Sequence, residues 1–425
     1  MGCLPCKLGS LLQHFQVIVR VHGRVGGLHL ISALIACALV AAIVLVGRMI
    51  AIHHEQSTIS STAPEIFSLK NQGLAFQRAA GRARDMLPLY GSSELQVPKI
   101  PERAAIFFRN APTGFQVSPV GKIGTISLIM LQEIGALGSD LRDKKLAISL
   151  SPGWFLARET NPRWYEGNFS PIAASKLVFG NTIDFSLKRQ VAARMLQFPR
   201  TLEKNPLLEF ALRRLVSGRP LDRMVFCIIW PLGKIQNAVM DLQDHFAALN
   251  HLLREPKSAP PRHPKILDWP KLIAEAGERG VRSLDKNENG KNLGQRIVTG
   301  RRDDKWFREH VNEGREWADL ELLLRTLAKI DARPLLLSMP LDGQYYNQTG
   351  VSRSAREVYY KKLRGFAQQY NIALIDFHEH DEDPTFLQRP VRQGEPAEGL
   401  HLAAKGWMLY NRALDDFFHG RVPPM

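Results

Sequence analysis

The sequence predicts an α/β protein of three layers, in which helices cover both faces of a parallel β-sheet. Short apolar runs of strand length alternate with stretches of helical periodicity before about residue 155 and again after residue 330. Such alternation requires crossover connections, which place the strands parallel in one sheet. A long uncharged run near the N-terminus adds a transmembrane helix to this prediction.

The uncharged run covers residues 28–46, and its nineteen residues are long enough to span a bilayer as a helix. It is preceded by three cations, Lys7, Arg20 and Arg24. The positive-inside rule therefore predicts a cytoplasmic tail at 1–27 and a signal anchor at 28–48. A cleaved signal peptide is the alternative, but the run is long for one and no small-residue cleavage site follows it. We expect a single-pass membrane protein whose later residues lie on the periplasmic or cell-wall side.

The other elements follow in chain order. Residues 49–84 are predicted to hold a polar linker, 53–64, and a helix, 67–84; one extracytoplasmic domain, 85–425, comes next. The predicted strands are Met86–Tyr90, Phe115–Val120, Leu146–Pro152, Pro334–Met339 and Ile372–Phe377. Helices are predicted at Thr125–Leu137, Ser354–Tyr370 and Ala403–Phe418.

The middle of the chain, about residues 156–328, lacks the strand–helix alternation. It is rich in Arg, Lys and other helix formers and is interrupted by prolines, so it is predicted to be a mostly helical insertion. Its most apolar segment, Met224–Trp230, has three interpretations: a strand, a buried helix or a patch that faces a membrane.

Composition limits the classes of partner. The formal net charge is +15, which favours polyanions such as nucleic acid, anionic lipid or an anionic envelope polymer. The cations are scattered and no zinc-finger or RNA-binding signature is present, so we expect no nucleic-acid partner. Of the four cysteines only Cys227 lies in the predicted domain, which excludes an internal disulfide there.

Two distant segments carry groups typical of nucleophilic catalysis. The tetrad GSSE, residues 91–94, follows the first predicted strand, and EGLH, residues 398–401, lies between the last strand and the last helix. Ligands of parallel sheets bind beyond the carboxyl ends of the strands, so Ser93 and His401 can reach one edge. A nucleophilic serine needs a base, and that base needs an acid to orient it. Each segment alone would more often be an ordinary turn or surface loop.

Several blocks in the same order resemble the DltD family, the D-alanyl transfer proteins of teichoic-acid D-alanylation, which have an SGNH-hydrolase-like fold. The resemblance covers the anchor and roughly residues 86–155 and 330–418. The matching blocks are GSSEL (91–95), GKIGTISL (121–128), IGALGSDL (134–141), SPGWF (151–155), DPTFL (383–387), LHL (400–402) and KGW (405–407).

The resemblance implies a role for each matching residue. Ser93 would be the nucleophile, with Ser92 as the second choice, and His401 the general base. Glu398 stands where the family has aspartate, with Asp376 as the alternative partner of the histidine. The candidate oxyanion donors are the backbone N–H groups of Ser93 and Gly124, and SPGW (151–154) replaces the usual block that carries an asparagine. The candidate substrate pocket consists of Ser92, Glu94, Trp154 and Trp407. No metal or cofactor is expected.

The resemblance also implies a function. It predicts a serine acyltransferase that places D-alanyl groups on hydroxyls of an anionic glycopolymer, teichoic acid or lipopolysaccharide in type. The implied partners are the membrane, a membrane-bound O-acyltransferase and, indirectly, a D-alanyl carrier protein. Two alternatives remain open: an envelope polysaccharide esterase or O-acetyltransferase with the same triad, and a non-catalytic partner of the membrane acyltransferase.

Overall fold

A parallel sheet of five strands is the framework on which the larger part of the protein is built. The structure, a computed structural model, describes residues 8–62, 68–97, 99–254, 263–288, 302–388 and 401–425. The chain divides into two units, Met1–His53 and His54–Met425. The described part of the first unit is helical throughout, and its residues 29–50 are exposed. Among the described residues one helical stretch, His29–Thr62, is long and apolar enough for a single-pass membrane anchor.

The strands confirm the predicted α/β class. They are β1 Met86–Tyr90, β2 Gln116–Val120, β3 Lys145–Leu150, β4 Arg333–Ser338 and β5 Ala373–Ile375. Their order in the sheet is β2-β1-β3-β4-β5, and every neighbouring pair is parallel. The chain moves outward from β1 to β2, then crosses back to β3 on the other side of β1. The carboxyl ends of β1 and β3 therefore flank the point where the winding reverses, which is where such sheets bind ligands.

Sixteen α-helices complete the described part of the chain. Up to β4 they are α1 Leu8–Thr62, α2 Ser68–Gln72, α3 Ala75–Arg82, α4 Ala104–Asn110, α5 Ser127–Leu137, α6 Pro162–Asn168, α7 Pro171–Phe179, α8 Phe185–Met195, α9 Pro206–Ser217, α10 Pro220–Arg254, α11 Trp269–Glu288, α12 Asp304–Glu313 and α13 Glu316–Ile330. After β4 they are α14 Gly343–Thr349, α15 Arg353–Gln369 and α16 Ala404–Phe418.

Alternate strand residues face two apolar layers, one on each side of the sheet. Tyr90 and Ile148 point into the larger layer, which also contains side chains of α5, α7, α8 and α13. Leu89 and Ala147 point into the smaller layer, together with side chains of α4 and α16. The period-two alternation of a strand produces this division. The result is the three-layer arrangement that the sequence predicts.

The segment predicted as a polar linker is helical as far as Thr62, so that prediction was wrong over the described residues. Its polar side chains bond within the helix, since the Thr58 hydroxyl donates to the carbonyl of His54 at 2.6 Å. Two of its residues are buried: Ile59 in an apolar cluster, and Glu55, whose carboxylate lies 2.8 Å from Nδ1 of His245 on α10. The predicted helix at 67–84 is interrupted after Gln72.

The described residues between β3 and β4 contain no strand, and eight helices, α6 to α13, confirm the helical middle of the chain. The ambiguous segment Met224–Trp230 is helical, because it lies inside α10.

Candidate active site

The loops that follow β1 and β2 are locked together directly before Ser93. Gly91 donates its N–H to the carbonyl of Val120 at 3.0 Å. Gly121 has a φ of +133°, and a Cβ placed there would lie 1.8 Å from the carbonyl oxygen of Gly91. Only glycine permits both this conformation and this close approach. The serine tetrad is therefore held at the carboxyl edge of the sheet by the neighbouring loop.

Two members of the tetrad are internal parts of the turn. Ser92 is buried; its N–H donates to Oε1 of Glu94 at 2.8 Å, and its Oγ accepts the N–H of Gly124 at 3.2 Å. Glu94 is also buried, and burial raises the pKa of its carboxyl group, while the Ser92 N–H acts in the opposite direction. Ser92 and Glu94, both predicted to line the substrate pocket, are thus buried residues that hold the turn together.

Ser93 differs from its neighbours because its reactive groups are free. It is half-buried and begins the short 3₁₀ turn Ser93–Leu95, where its carbonyl accepts the N–H groups of Gln96 and Val97 at 2.9 Å each. Within the described ranges neither its hydroxyl nor its backbone N–H has a hydrogen-bond partner. One residue therefore presents both a hydroxyl and an N–H donor near the point where the sheet reverses.

His401 is held just before α16. Its carbonyl accepts the N–H of Gln388 at 2.7 Å, and the adjoining bridge pairs Leu387 with Leu402. The imidazole Nε2 is buried and has no hydrogen-bond partner in the described part of the chain. Burial lowers the pKa of His401, which favours a neutral ring with a lone pair available as a base.

The serine and histidine segments both contribute to the smaller apolar layer. Leu95, two residues after Ser93, and Leu402, directly after His401, belong to the same cluster. Burial raises the pKa of Tyr410 on α16, and the nearby carboxylate of Glu94 raises that pKa further. The two predicted segments, more than three hundred residues apart in sequence, thus border the same face of the sheet.

The acid that would orient His401 has two candidates. Glu398 lies outside the described residues. Asp376, at the end of β5, accepts Nε of Arg364 at 2.7 Å through one oxygen and the N–H of His378 at 3.2 Å through the other. Both oxygens of Asp376 are therefore already engaged.

Gly124, the second predicted oxyanion donor, already donates its N–H to Ser92 Oγ. Its φ is +85°, and a Cβ at this position would lie 2.4 Å from the ring of Trp164. An oxyanion would have to share or replace the Ser92 hydroxyl as the acceptor of this N–H. The Ser93 N–H has no acceptor within the described residues, so it could bind an oxyanion without losing another hydrogen bond.

A cavity of about 180 Å³ lies beyond β3, next to Gly124. Trp154 and Trp164 form part of its wall, with their rings edge to face at 6.0 Å. Glu316 also lines it and accepts the N–H of Ser127 at 2.6 Å. Burial, with the nearby charge of Asp319, raises the pKa of Glu316 to about 8. The sequence analysis predicted Trp154 as a pocket residue. It did not predict Trp164 or Glu316, because they lie in the middle of the chain, for which only helical structure was predicted.

Trp407, the remaining predicted pocket residue, is fully buried in the smaller apolar layer. Trp407 lies in the first turn of α16, where its side chain packs that helix against the sheet. Among the described residues no group of three or more His, Cys, Asp or Glu side chains is arranged to hold a metal ion.

Comparisons with known proteins identify the family of this chain. A family model described as DltD protein matches residues 63–419. Protein DltD of Bacillus subtilis (strain 168) is 26% identical over 354 residues, which cover 82% of this chain and 86% of that protein. Protein DltD of Staphylococcus aureus (strain NCTC 8325 / PS 47) is 23% identical over 380 residues, covering 87% and 90%. Protein DltD of Lacticaseibacillus rhamnosus is 23% identical over 403 residues, covering 90% and 89%. Since the family model spans most of the sequence, this chain belongs to the DltD family, whose proteins take part in the D-alanylation of teichoic acids.

Proposed function

We propose that this protein is a membrane-anchored, extracytoplasmic serine acyltransferase. It takes a D-alanyl group onto Ser93 and passes it to hydroxyls of an anionic envelope glycopolymer, of the teichoic-acid or lipopolysaccharide type. The observation that carries the proposal is the pair of unpartnered groups on Ser93, a hydroxyl and a backbone N–H, within the described residues at the carboxyl end of β1. A nucleophile whose own N–H can bind the developing oxyanion needs both groups free.

In the first half of the reaction His401 acts as general base. Its Nε2 takes the proton of the Ser93 hydroxyl, and Oγ attacks the carbonyl carbon of an activated D-alanyl ester or thioester. The Ser93 N–H stabilises the oxyanion. When the tetrahedral intermediate collapses, the bond to the leaving group breaks, and His401 returns the proton to that group. Glu398 is proposed to orient the imidazole from the segment before it.

In the second half a polymer hydroxyl replaces the leaving group. It gives its proton to His401 and attacks the acyl carbon, and Ser93 leaves with that proton. Both product and intermediate are esters, so water must be kept from the acyl-enzyme. The cavity walled by Trp154 and Trp164 is small enough for a short acyl group and is proposed to shield it.

The membrane context completes the proposal. The anchor places the domain outside the cytoplasm, beside a membrane-bound O-acyltransferase that passes on D-alanyl groups from a cytoplasmic carrier protein. The net charge of +15 suits an anionic acceptor. Reporters fused after Val46 and after Met425 test the orientation. Activity of a reporter that works only in the cytoplasm would contradict it.

The chemistry is tested by trapping the acyl-enzyme. Full-length protein in detergent is incubated with an activated D-alanyl thioester, and intact mass and peptide mapping locate the added alanyl group. We expect modification of Ser93 in the wild type and none in Ser93→Ala. In His401→Ala the rate should fall about 100-fold or more.

Ser92→Ala is the matched control, since Ser92 is the neighbouring serine. It should still be acylated at Ser93, at a reduced rate because Gly124 loses its partner. Acylation of Ser92 instead, or full polymer modification by Ser93→Ala in cells, would refute the assignment. Release of D-alanine at the same rate with and without polymer would identify an esterase.

A further inference from the structure

Helix α10 carries an apolar face that no described part of the protein covers. Eight of its large hydrophobic side chains are between 52% and 73% exposed. They are Leu221, Met224, Ile228, Leu232, Ile235, Val239, Phe246 and Leu253. Their spacings of three, four or seven residues place them along one side of the helix. Monomeric proteins in water seldom expose a continuous apolar surface of this length.

The opposite side of α10 is firmly packed, so the orientation of the helix is fixed. Gly233 lies so close to the ring of Phe179 that a Cβ would come within 2.3 Å of it. Phe226 stacks on the same ring, with centroids 5.9 Å apart and planes at 4°. Rotation of α10 to bury its apolar face would break this packing. The exposed face is therefore a property of the folded domain.

Charge is nearly absent from the first half of this helix. Between Met224 and Met240 the one charged residue is Lys234, whose ammonium lies 5.0 Å over the ring of Trp230. At the start of α10 the exposed Arg219 and Arg223 precede this stretch. An apolar face with cations at its end is the pattern of helices that bind the boundary between headgroups and acyl chains.

The second half of α10 contacts the end of the long helix α1. Glu55 of α1 meets His245, and four residues later Ile59 shares a cluster with Ala248 and Leu252. The uncharged run of residues 28–46 precedes Glu55 in the same helix, α1.

We propose that the outward face of α10 from Leu221 to Val239 lies in the lipid bilayer, at the boundary of headgroups and acyl chains. Arg219 and Arg223 bind anionic headgroups there. The domain then has two attachments to the membrane, α1 and α10, which fix the height of the active site above the lipid. This inference rests on the proposed anchor, and it is independent of the acyl-transfer chemistry.

A second copy of the chain is the competing occupant, because a helix can cover such a face as a coiled coil. The positions that flank a coiled-coil seam normally carry charged residues. Here one flank consists of Met224, Pro231 and Ala238, which are uncharged. These side chains widen the apolar face instead of bordering it with charge. Lipid, which can cover a wide and featureless face, fits better than one narrow helix.

The exposed Cys227 supplies a probe at the edge of this face, beside Met224 and Pro231. Full-length protein with Cys3, Cys6 and Cys37 changed to serine is labelled at Cys227 with a polarity-sensitive fluorophore and reconstituted in liposomes that contain phosphatidylglycerol. We expect blue-shifted emission and at least twofold quenching by lipids that carry a spin label on the acyl chain. The control, Cys227→Ser with Lys361→Cys on the exposed side of α15, should emit as in water and resist quenching.

Separate measurements distinguish a failure of this inference from a failure of the proposed anchor or of the proposed acyl transfer. Liposome flotation reports the anchor, and acylation of Ser93 reports the chemistry. Water-like emission at Cys227 in floating liposomes would overturn the inference. A blue shift without lipid quenching would also overturn it, since the face would then be covered by protein, and Cys227 cross-links between chains would identify a second copy. In Ile228→Asp/Ile235→Asp, the label should lose most of its quenching while the domain stays folded by circular dichroism.

Discussion

Gly121 determines the position of Ser93, the proposed nucleophile. A methyl group at this position would collide with the backbone of Gly91, and its φ of +133° is disfavoured for any other residue. Neither strain can be relieved by rotating a side chain. Relief requires separation of the two loops that end β1 and β2, and that separation displaces Ser93.

Gly121→Ala should therefore reduce both stability and activity. We expect a loss of about 3 kcal/mol or more in the free energy of unfolding, and at least a tenfold loss in acylation rate. Urea denaturation and the trapping assay measure the two. Gly167→Ala in α6 is the matched control, because nothing lies within 4 Å of its Cβ position. It should leave activity unchanged and raise stability by roughly 0.5 kcal/mol. A Gly121→Ala variant as stable as Gly167→Ala would contradict this account.

The buried His401, the proposed general base, should determine the pH dependence of acylation. Burial disfavours the charged imidazolium, so the pKa of His401 lies below the ordinary value of about 6.5. Only the neutral ring accepts the serine proton. The acylation rate should thus rise with pH through an inflection below about 6.5 and stay level above it. The pH profile of kcat/KM measures this, and an inflection above about 7 would show that the ring is stabilised in its charged form.

At the scale of elements, a buried ion pair joins two helices of the helical middle of the chain, α8 and α13. Arg194 on α8 donates Nε and a terminal nitrogen to the two oxygens of Asp319 on α13, each at 2.7 Å. Both side chains are almost completely buried. Removal of one partner leaves an uncompensated charge in the core, which costs more than the pair itself contributes.

Asp319→Ala should lower the free energy of unfolding by about 3–5 kcal/mol. Glu209→Ala is the control, since it breaks an exposed pair with Arg213 inside α9 and should cost no more than about 1 kcal/mol. Chemical denaturation of both variants gives the comparison. Equal losses would show that the α8–α13 contact does not depend on this pair.

The elements also show what sequence patterns can and cannot predict. All five strands were located to within two residues, because short apolar runs bounded by glycine, proline or polar residues leave little choice. The linker prediction failed because it read the polar residues of 53–62 as solvated. The burial of Glu55 depends on His245, which lies 190 residues away. For Met224–Trp230 the sequence left the choice open, since an apolar helix and an apolar strand look alike over seven residues.

The same limit applies to the candidate site. Chain order alone predicts that residues after β1 and β3 share one edge, and Ser93 and Trp154 are found at the ends of those strands. The bond from Gly124 to Ser92 and the contact of Trp164 with Gly124 depend on how the loops and α6 pack. Those contacts join residues that are far apart in the sequence, so no local sequence pattern predicts them.

At the scale of the whole molecule, the net charge of +15 acts on any anionic acceptor. Long-range attraction raises the encounter rate, and salt screens it over about 10 Å at 0.1 M ionic strength. We expect kcat/KM for an anionic glycopolymer to fall at least fivefold between about 0.05 and 0.5 M NaCl. A small neutral alcohol as acceptor should show less than a twofold change. Equal salt dependence for both acceptors would show that salt acts on the enzyme itself and not on its attraction to the polymer.

The pairing of β3 with β4 has a consequence for how the protein folds. The two strands are hydrogen-bonded neighbours over six residue pairs, yet about 180 residues of chain lie between them. At ordinary rates of synthesis, roughly ten to forty seconds pass after β3 is made before β4 follows it. Throughout that interval one edge of β3 is open to pairing with any extended chain nearby. Folding of the growing chain therefore contains a period in which the half-built sheet depends on chaperones, or on early packing of the insertion helices, to stay unpaired.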